Sequence, residues 1–560
     1  MRVVRSGVAW LLAVAGAVVS MPVDTAAQAQ PAPVVAPATA APSGMPLTLD
    51  EAVRLALEQN LALQIERINP EIEDENVDLA KSAWTPNLFS DLTFNDSTNP
   101  PDSFFSGATE ELKSRRTFWQ TGVAQDVPWG GNYQVAWDAS RQTSNNVFNF
   151  FNPRLGSNLF LSYGQSLLRN FSIDGNRQQY QISKKNREMS DTDLRATAVE
   201  TIRQAKNAYW DLVAARANLE TQRKSFELAQ QTLKDNRTRV DVGTMAPIDI
   251  VEAESEVARN EESVIVAETA IYQAEDRLRT LMFDPAKQRD FWSVRLEPTD
   301  VPSPQLTPVD IDAAVQKALV GRTDIDVLKK NVEILEINER YYRNQTLPDL
   351  NARVDLNGTG LAGTQFETEG GFPPVIVGQV DRPFSDAVGD AVTFAYPGWT
   401  FSLNFLYPLG KSAAEAALAR TKLQHQQIDL QVRNLEMQVA TQVRELGRQV
   451  NSNWKRVAAT RAARVLAERR LEAEQKKFGV GMSTSFLVFQ AQRDLTDARN
   501  SELSATLDYA KSLVDFEASQ EASIGGSSGF AVAGGTTGLT TAAAVRSTSG
   551  STASGQLRQQ

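Results

Sequence analysis

Two apolar rhythms alternate along this chain, one with the period of a helix and one with the period of a strand. Ala198, Ile202, Ala205, Tyr209, Leu212, Leu219, Phe226 and Leu233 follow a three-four spacing whose gaps are filled by Arg216, Arg223 and Gln230. After a short break the same spacing returns through Ile250, Ala253, Val257, Val264, Ala267, Ile271, Ala274, Leu278 and Leu281, with Asn260 the one polar member. Sustained three-four spacing marks a coiled-coil seam, so it predicts two long helices, over about 177–240 and 250–281, joined by a tight turn. A second such pair is predicted over 411–478 and 486–520, where Val488, Ala491, Leu495, Ala498, Ala505, Tyr509 and Phe516 carry the stripe and Glu502 and Ser512 interrupt it. A helix of about 60 residues is about 90 Å long, more than an ordinary globular enzyme uses.

Elsewhere the period is two. Leu350 to Asn357 alternates apolar and polar at every step, and Phe401-Ser402-Leu403-Asn404-Phe405 begins another alternation. Leu88, Leu92 and Phe94 share one face of a third stretch while Asp91, Thr93 and Asn95 share the other, and residues 158–168 are strand-like. Gln120 to Val127, Pro128-Trp129-Gly130-Gly131 and Asn132 to Ser140 read as a further hairpin near 119–141, which either extends a barrel beyond the membrane or enlarges an outer loop. The Asn/Gly/Pro/Asp-rich stretches 95–115 and 357–392 are expected to be long exposed loops. Strands of about ten residues with one oily and one wet face fit an outer-membrane barrel; the bland alternative is an antiparallel sandwich.

The chain is also duplicated. Residues 50–95 align without a gap on 312–357, pairing Asp50 with Asp312, Ala52 with Ala314, Ala56 with Ala318, Pro86 with Pro348 and Asn95 with Asn357. A later block pairs Val242-Gly243 with Val480-Gly481 and Ala253 with Ala491. Each copy therefore reads as helix, strands, long helix, tight turn, long helix. The copies are bounded at 47–300 and 301–520.

Composition removes most alternatives. Among 560 residues there are 57 Lys plus Arg against 68 Asp plus Glu, one His and no Cys. The net charge of −11 and the absence of a dense basic run argue against nucleic-acid binding. Without Cys there are no disulfides or thiolate sites, and the lone His425, in a polar run, leaves no material for a triad or a multi-His metal site. No cofactor, metal or catalytic residue is expected. Arg2 and Arg5, the apolar run Val8 to Val19, and Ala27-Gln28-Ala29 form the tripartite pattern of a signal peptide over 1–29. A Pro/Ala linker is expected over 30–46 and a disordered Gly/Ser/Thr tail over 521–560.

If each copy supplies one pair of membrane strands, four strands cannot close a barrel, since single chains need about eight or more. Open edges in lipid would leave backbone groups unpaired at several kcal/mol each. The chain is therefore expected to oligomerise, with three copies giving twelve strands above a second barrel of helical hairpins.

Several motifs carry a resemblance. Leu47-Thr48-Leu49-Asp50-Glu51-Ala52-Val53, Trp84-Thr85-Pro86-Asn87-Leu88, Ala208-Tyr209-Trp210-Asp211-Leu212, Arg322-Thr323-Asp324-Ile325 and Leu347-Pro348-Asp349-Leu350 stand in the order and spacing found in TolC-type outer-membrane efflux proteins. The chain resembles that family over roughly 47–520, with Thr323 replacing a family Pro. The resemblance implies a mainly α protein with membrane β-strands, built from a duplicated helix–strand–hairpin repeat. As a homotrimer in outer-membrane lipid it would join a β-barrel to a periplasmic α-helical barrel. Docked to a periplasmic adaptor (membrane fusion protein) and an inner-membrane pump, it would pass substrates outward in a tripartite efflux or type I secretion system.

The resemblance also assigns sites. Val242, Gly243, Thr244 and Met245, with Val480, Gly481, Met482 and Ser483, match the hairpin tips that meet the adaptor; the plain alternative is that both glycines only reverse the chain. Asp249 matches an acid lining the closed periplasmic entrance of some relatives, whereas Leu487 and Gln490 stand where those relatives carry acids; Phe478 and Leu487 suggest an apolar closure instead. Asp249 could equally be a first-turn residue favoured by the helix dipole. Pro86 and Pro348 mark the passage from helix to strand. A periplasmic coiled-coil adaptor or scaffold would share the hairpins but not their duplication or the alternating strands. A secreted or outer-membrane enzyme would need a clustered constellation that the sequence lacks.

Overall fold

Capping residues start the helices where the pattern changes. The computed structural model describes residues 44–101, 110–300, 305–370 and 375–523. The first repeat runs β1 (Met45–Leu47), α1 (Leu49–Gln59), α2 (Leu61–Lys81), β2 (Asn87–Asn99), β3 (Leu112–Asp126), β4 (Gly131–Ser144), β5 (Phe151–Ser166), α3 (Gly175–Asp241), α4 (Ile248–Met282) and β6 (Leu296–Pro298). The second runs α5 (Ile311–Gly321), α6 (Thr323–Gln345), β7 (Asp349–Glu369), β8 (Val375–Arg382), α7 (Phe384–Val392), β9 (Pro397–Leu406), α8 (Ala413–Gly479) and α9 (Ser485–Ser519). The side chains of Thr48, Asn60 and Asp174 each accept a backbone N–H three residues on, and Ser412 with Glu415 forms a reciprocal capping box.

α3 and α8 have 67 residues each, about 100 Å of helix, and α4 and α9 return along them for 35 residues each. The repeat is visible in the core. Tyr209, Leu212, Leu278 and Met282 are buried with Ala52 and Leu55 of α1 in one cluster. Val439, Val443, Tyr509 and Phe516 are buried with Ala314, Val315 and Ala318 of α5 in its counterpart. A third cluster, Leu471, Val488, Ala491 and Leu495, closes the hairpins nearer their tips. Ser512 stays buried in the α9 seam by donating its hydroxyl to the Tyr509 carbonyl (2.8 Å); Glu502 is neutralised there by Arg464.

Among the described residues, seven long strands form one antiparallel sheet ordered β2-β3-β4-β5-β7. The first half of β7, Asp349 to Gly358, pairs with β9; its second half, Gly363 to Glu369, pairs with β8. Six strands therefore lie abreast along each paired half of β7, not the four expected from one pair per repeat. The hairpin near 119–141 is an integral part of the sheet: β3 and β4 pair with each other and with both flanking strands over their length. The expected loops are also largely strand. Residues 87–99 and 112–126 extend into 95–115, while β7, β8 and α7 occupy most of 357–392. The physical reason lies in α7, which rests on the sheet where Gly358 and Gly360 leave room: a Cβ there would sit 2.2 Å from the Ala391 oxygen and 1.8 Å from the Ala387 oxygen. Glycines that look like turn formers are packing sites.

β1 pairs in parallel with β6, so Met45 and Pro46 are strand rather than linker. The signal-peptide reading for 1–29, the rest of the linker and most of the tail lie outside the described residues. Within them, no helix is long and apolar enough to cross a membrane.

Candidate functional site

The sheet separates its side chains by chemistry. Registered neighbours place Leu88, Leu92, Phe94, Trp119, Val123, Val135, Trp137, Leu159, Leu161, Val354, Leu356, Trp399, Phe401, Leu403 and Phe405 on one face. Many of these are exposed, Leu88 to 79% and Trp399 to 74%. The opposite face carries Asp91, Thr93, Asn95, Gln120, Gln134, Asp138, Asn158, Ser162, Arg353, Asp355, Asn357, Thr400, Ser402 and Asn404. Two of its carboxylates are partnered: Asn158 donates to Asp138 (2.8 Å) and Arg353 to Asp355 (2.8 Å). On the apolar face two indole N–H groups are satisfied inside the sheet, Trp137 by Ser157 (2.8 Å) and Trp119 by Ser90 (2.9 Å), which leaves those two rings without an unpaired donor. An apolar face this large, opposite a wet one, suits a wall between hydrocarbon and water. Among the described residues β2 and β9 each pair on one side only, so the wall has two open edges.

At the far end of the hairpins the two tips repeat one geometry. Gly243 and Gly481 have φ of +74° and +75°. Thr244 N–H donates to the Arg239 carbonyl (2.9 Å) and Met482 N–H to the Lys477 carbonyl (2.8 Å), the six-to-one bond of a Schellman cap with glycine in the left-handed position. A Cβ at either glycine would meet nothing within 4 Å, so only the backbone dihedral demands glycine there. Val242, Val480 and Met482 are exposed, as are Thr244, with Met245 and Ser483 half-buried. Pro86 and Pro348 sit in the short links after α2 and α6, directly before β2 and β7.

The residues assigned to the entrance are engaged within the chain. Asp249 accepts a hydrogen bond from Ser485 (3.0 Å), and the Arg239 guanidinium lies 4.5 Å over the Phe478 ring. These contacts tie the first hairpin to the second, as does Arg493, which donates to the buried Glu256 (3.0 Å). Leu487 is exposed and Gln490 half-buried. The sequence gives no signal for Arg239 or Ser485, because each partner lies more than 200 residues away. His425 is half-buried, its Nδ1 3.5 Å from Glu339 between α8 and α6. Arg322 is a buried anchor, forked onto Asp324 (2.7 and 3.0 Å) and donating to Gln442 (2.8 Å) and the Ser519 carbonyl (3.3 Å).

Comparison with known proteins places this geometry. Residues 52–282 match the model of a family described as outer membrane efflux protein. No curated protein sequence matches the chain. Among solved structures, the fold is similar to the CmeC outer membrane channel of Campylobacter jejuni, with TM-score 0.61 and 15% identity over 84% of this chain and 85% of that one. It is similar also to the outer membrane protein VceC of Vibrio cholerae, with TM-score 0.58 and 13% identity over 84% of this chain and 96% of that one.

Proposed function

We propose that this chain is a TolC-type outer membrane efflux protein, a reading supported by the outer membrane efflux protein model that matches residues 52–282, and that three copies form the exit duct of a tripartite efflux or type I secretion system. The β-sheet is the outer-membrane part and the helical hairpins are the periplasmic part. Substrates enter from a periplasmic adaptor and an inner-membrane pump and leave through the barrel; the role is conduction, not catalysis. One observation carries this reading: a sheet with an apolar face, a polar face and two open edges is fused to hairpins of about 100 Å. Neither edge can stay unpaired in lipid, and a closed ring of such sheets encloses a mainly polar wall, interrupted by Phe89, Phe118 and Phe160.

The exposed tips around Gly243 and Gly481 are the adaptor-docking elements in this reading. Asp249, Phe478, Leu487 and Gln490 form the periplasmic entrance, with Asp249 held by Ser485. Reconstitution of the protein from outer membranes into planar bilayers tests the duct directly. Discrete conductance steps are expected; a protein that inserts without conducting would contradict the proposal.

A further inference from the structure

Each flank of the chain ends in an unpartnered edge, and the two edges match. Beside the sheet the helices pack in the order α2, α3, α6, α8, and nearer the tips in the order α4, α3, α9, α8. The strands run β2, β3, β4, β5, β7, β9. One flank is therefore β2 with α2, and the other is β9 with α8.

On α2, Ile65, Ile68, Ile72 and Leu79 make an exposed apolar stripe at coiled-coil spacing. On α8, Leu423, Leu430 and Met437 make another, seven residues apart and 63–66% exposed. Each stripe is interrupted by one charge of opposite sign, Glu75 on α2 and Arg433 on α8, both exposed and neither in an ion pair among the described residues.

The heights agree. Arg187 of α3 donates to Asp74 of α2 (2.7 Å), Lys185 of α3 lies 2.8 Å from Glu333 of α6, and His425 of α8 lies 3.5 Å from Glu339 of α6. Followed across these antiparallel neighbours, the rungs set Ile72 level with Met437, Glu75 with Arg433 and Leu79 with Leu430, each within about one helical turn. Rotation about a common axis leaves heights unchanged, so the α2 stripe of one copy meets the α8 stripe of the next. α2 leads into the sheet and α8 away from it, so the two helices run antiparallel. The strand edges agree too: with six strands abreast, β2 and β9 have opposite senses, and the ladder continues antiparallel across the junction.

The perimeters accommodate the strand count that the ladders give. Four helices abreast per chain give twelve in three copies, which at about 9–10 Å each need a ring of about 110–120 Å. Eighteen strands about 4.8 Å apart, tilted about 40°, need about 113 Å, whereas twelve need about 75 Å. Six strands per chain match the helices beneath them.

We propose that copies of this chain join through one heterologous seam, β2 and α2 against the next copy's β9 and α8, and that three copies close eighteen strands over twelve helices. This rests on the trimeric duct proposed above. A barrel of that size holds an open aqueous channel rather than a plug of side chains, so its exit is as wide as the helical conduit that feeds it.

The chain has no Cys, which makes paired cysteines clean probes. In protein purified from outer membranes, a Leu79→Cys/Leu430→Cys double variant should oxidise to covalent dimers and trimers on a non-reducing gel, while each single variant should stay monomeric. Added to that double variant, Glu75→Arg or Arg433→Glu should each lower the cross-linked yield several-fold, and the two reversals together should restore it. Electron-microscopic cross-sections of the barrel should show eighteen strands. A trimer by mass that fails to cross-link overturns the seam and leaves the duct standing; a cross-linked trimer with twelve strands overturns the barrel count. A folded monomer by mass overturns the trimeric reading itself.

Discussion

Gly243 and Gly481 are fixed by dihedral angle alone. A valine at either position must adopt the left-handed conformation, costing about 1–2 kcal/mol, but finds open space around it. Gly243→Val and Gly481→Val should therefore assemble normally by size-exclusion and thermal melting, yet capture less adaptor in a pulldown. Normal capture by both would make these residues turn formers only. Asp249→Asn keeps an oxygen to accept the Ser485 hydroxyl while removing the charge. Docking should persist, and single-channel recordings should show altered conductance or cation preference. Arg322 is different, because it is buried with its charge satisfied four times over. Arg322→Ala leaves Asp324 without its fork and should destabilise the fold by about 3–5 kcal/mol, read as a lower denaturation midpoint. Lysine should not rescue it, since an ammonium cannot reproduce the bidentate geometry.

Among the elements, α7 offers the sharpest test of the packing account. Gly360 lies under Ala387, and Gly358 under Ala391. Gly360→Val should lift α7 from the sheet, seen as faster hydrogen exchange across Phe384–Val392 with the strands still protected. The same contact explains what the sequence hides. The long hairpins are legible within a few residues because their seams repeat for tens of residues and are closed by glycine caps. The paired prolines and the duplication are legible for similar reasons. The strand count is not, because the apolar face of β3 carries Thr117 and Thr121 beside Trp119 and Val123, which blurs its alternation. The region 357–392 reads as loop because its glycines make space for a helix rather than a turn. Contacts such as Asp249 with Ser485 and Arg239 with Phe478 join residues far apart in sequence, where no local pattern can announce them.

For the whole molecule, the unsatisfied quantity is the edge. Six strands abreast close neither alone nor without leaving backbone donors and acceptors of β2 and β9 in lipid, and the exposed stripes on α2 and α8 add apolar surface that water disfavours. The most direct measurement is native mass spectrometry of the complex extracted from outer membranes in mild detergent, on the unmodified protein. Three mature chains in one complex is the result expected from these edges. A folded, conducting species containing a single chain would contradict it, because it would mean the sheet closes without a partner.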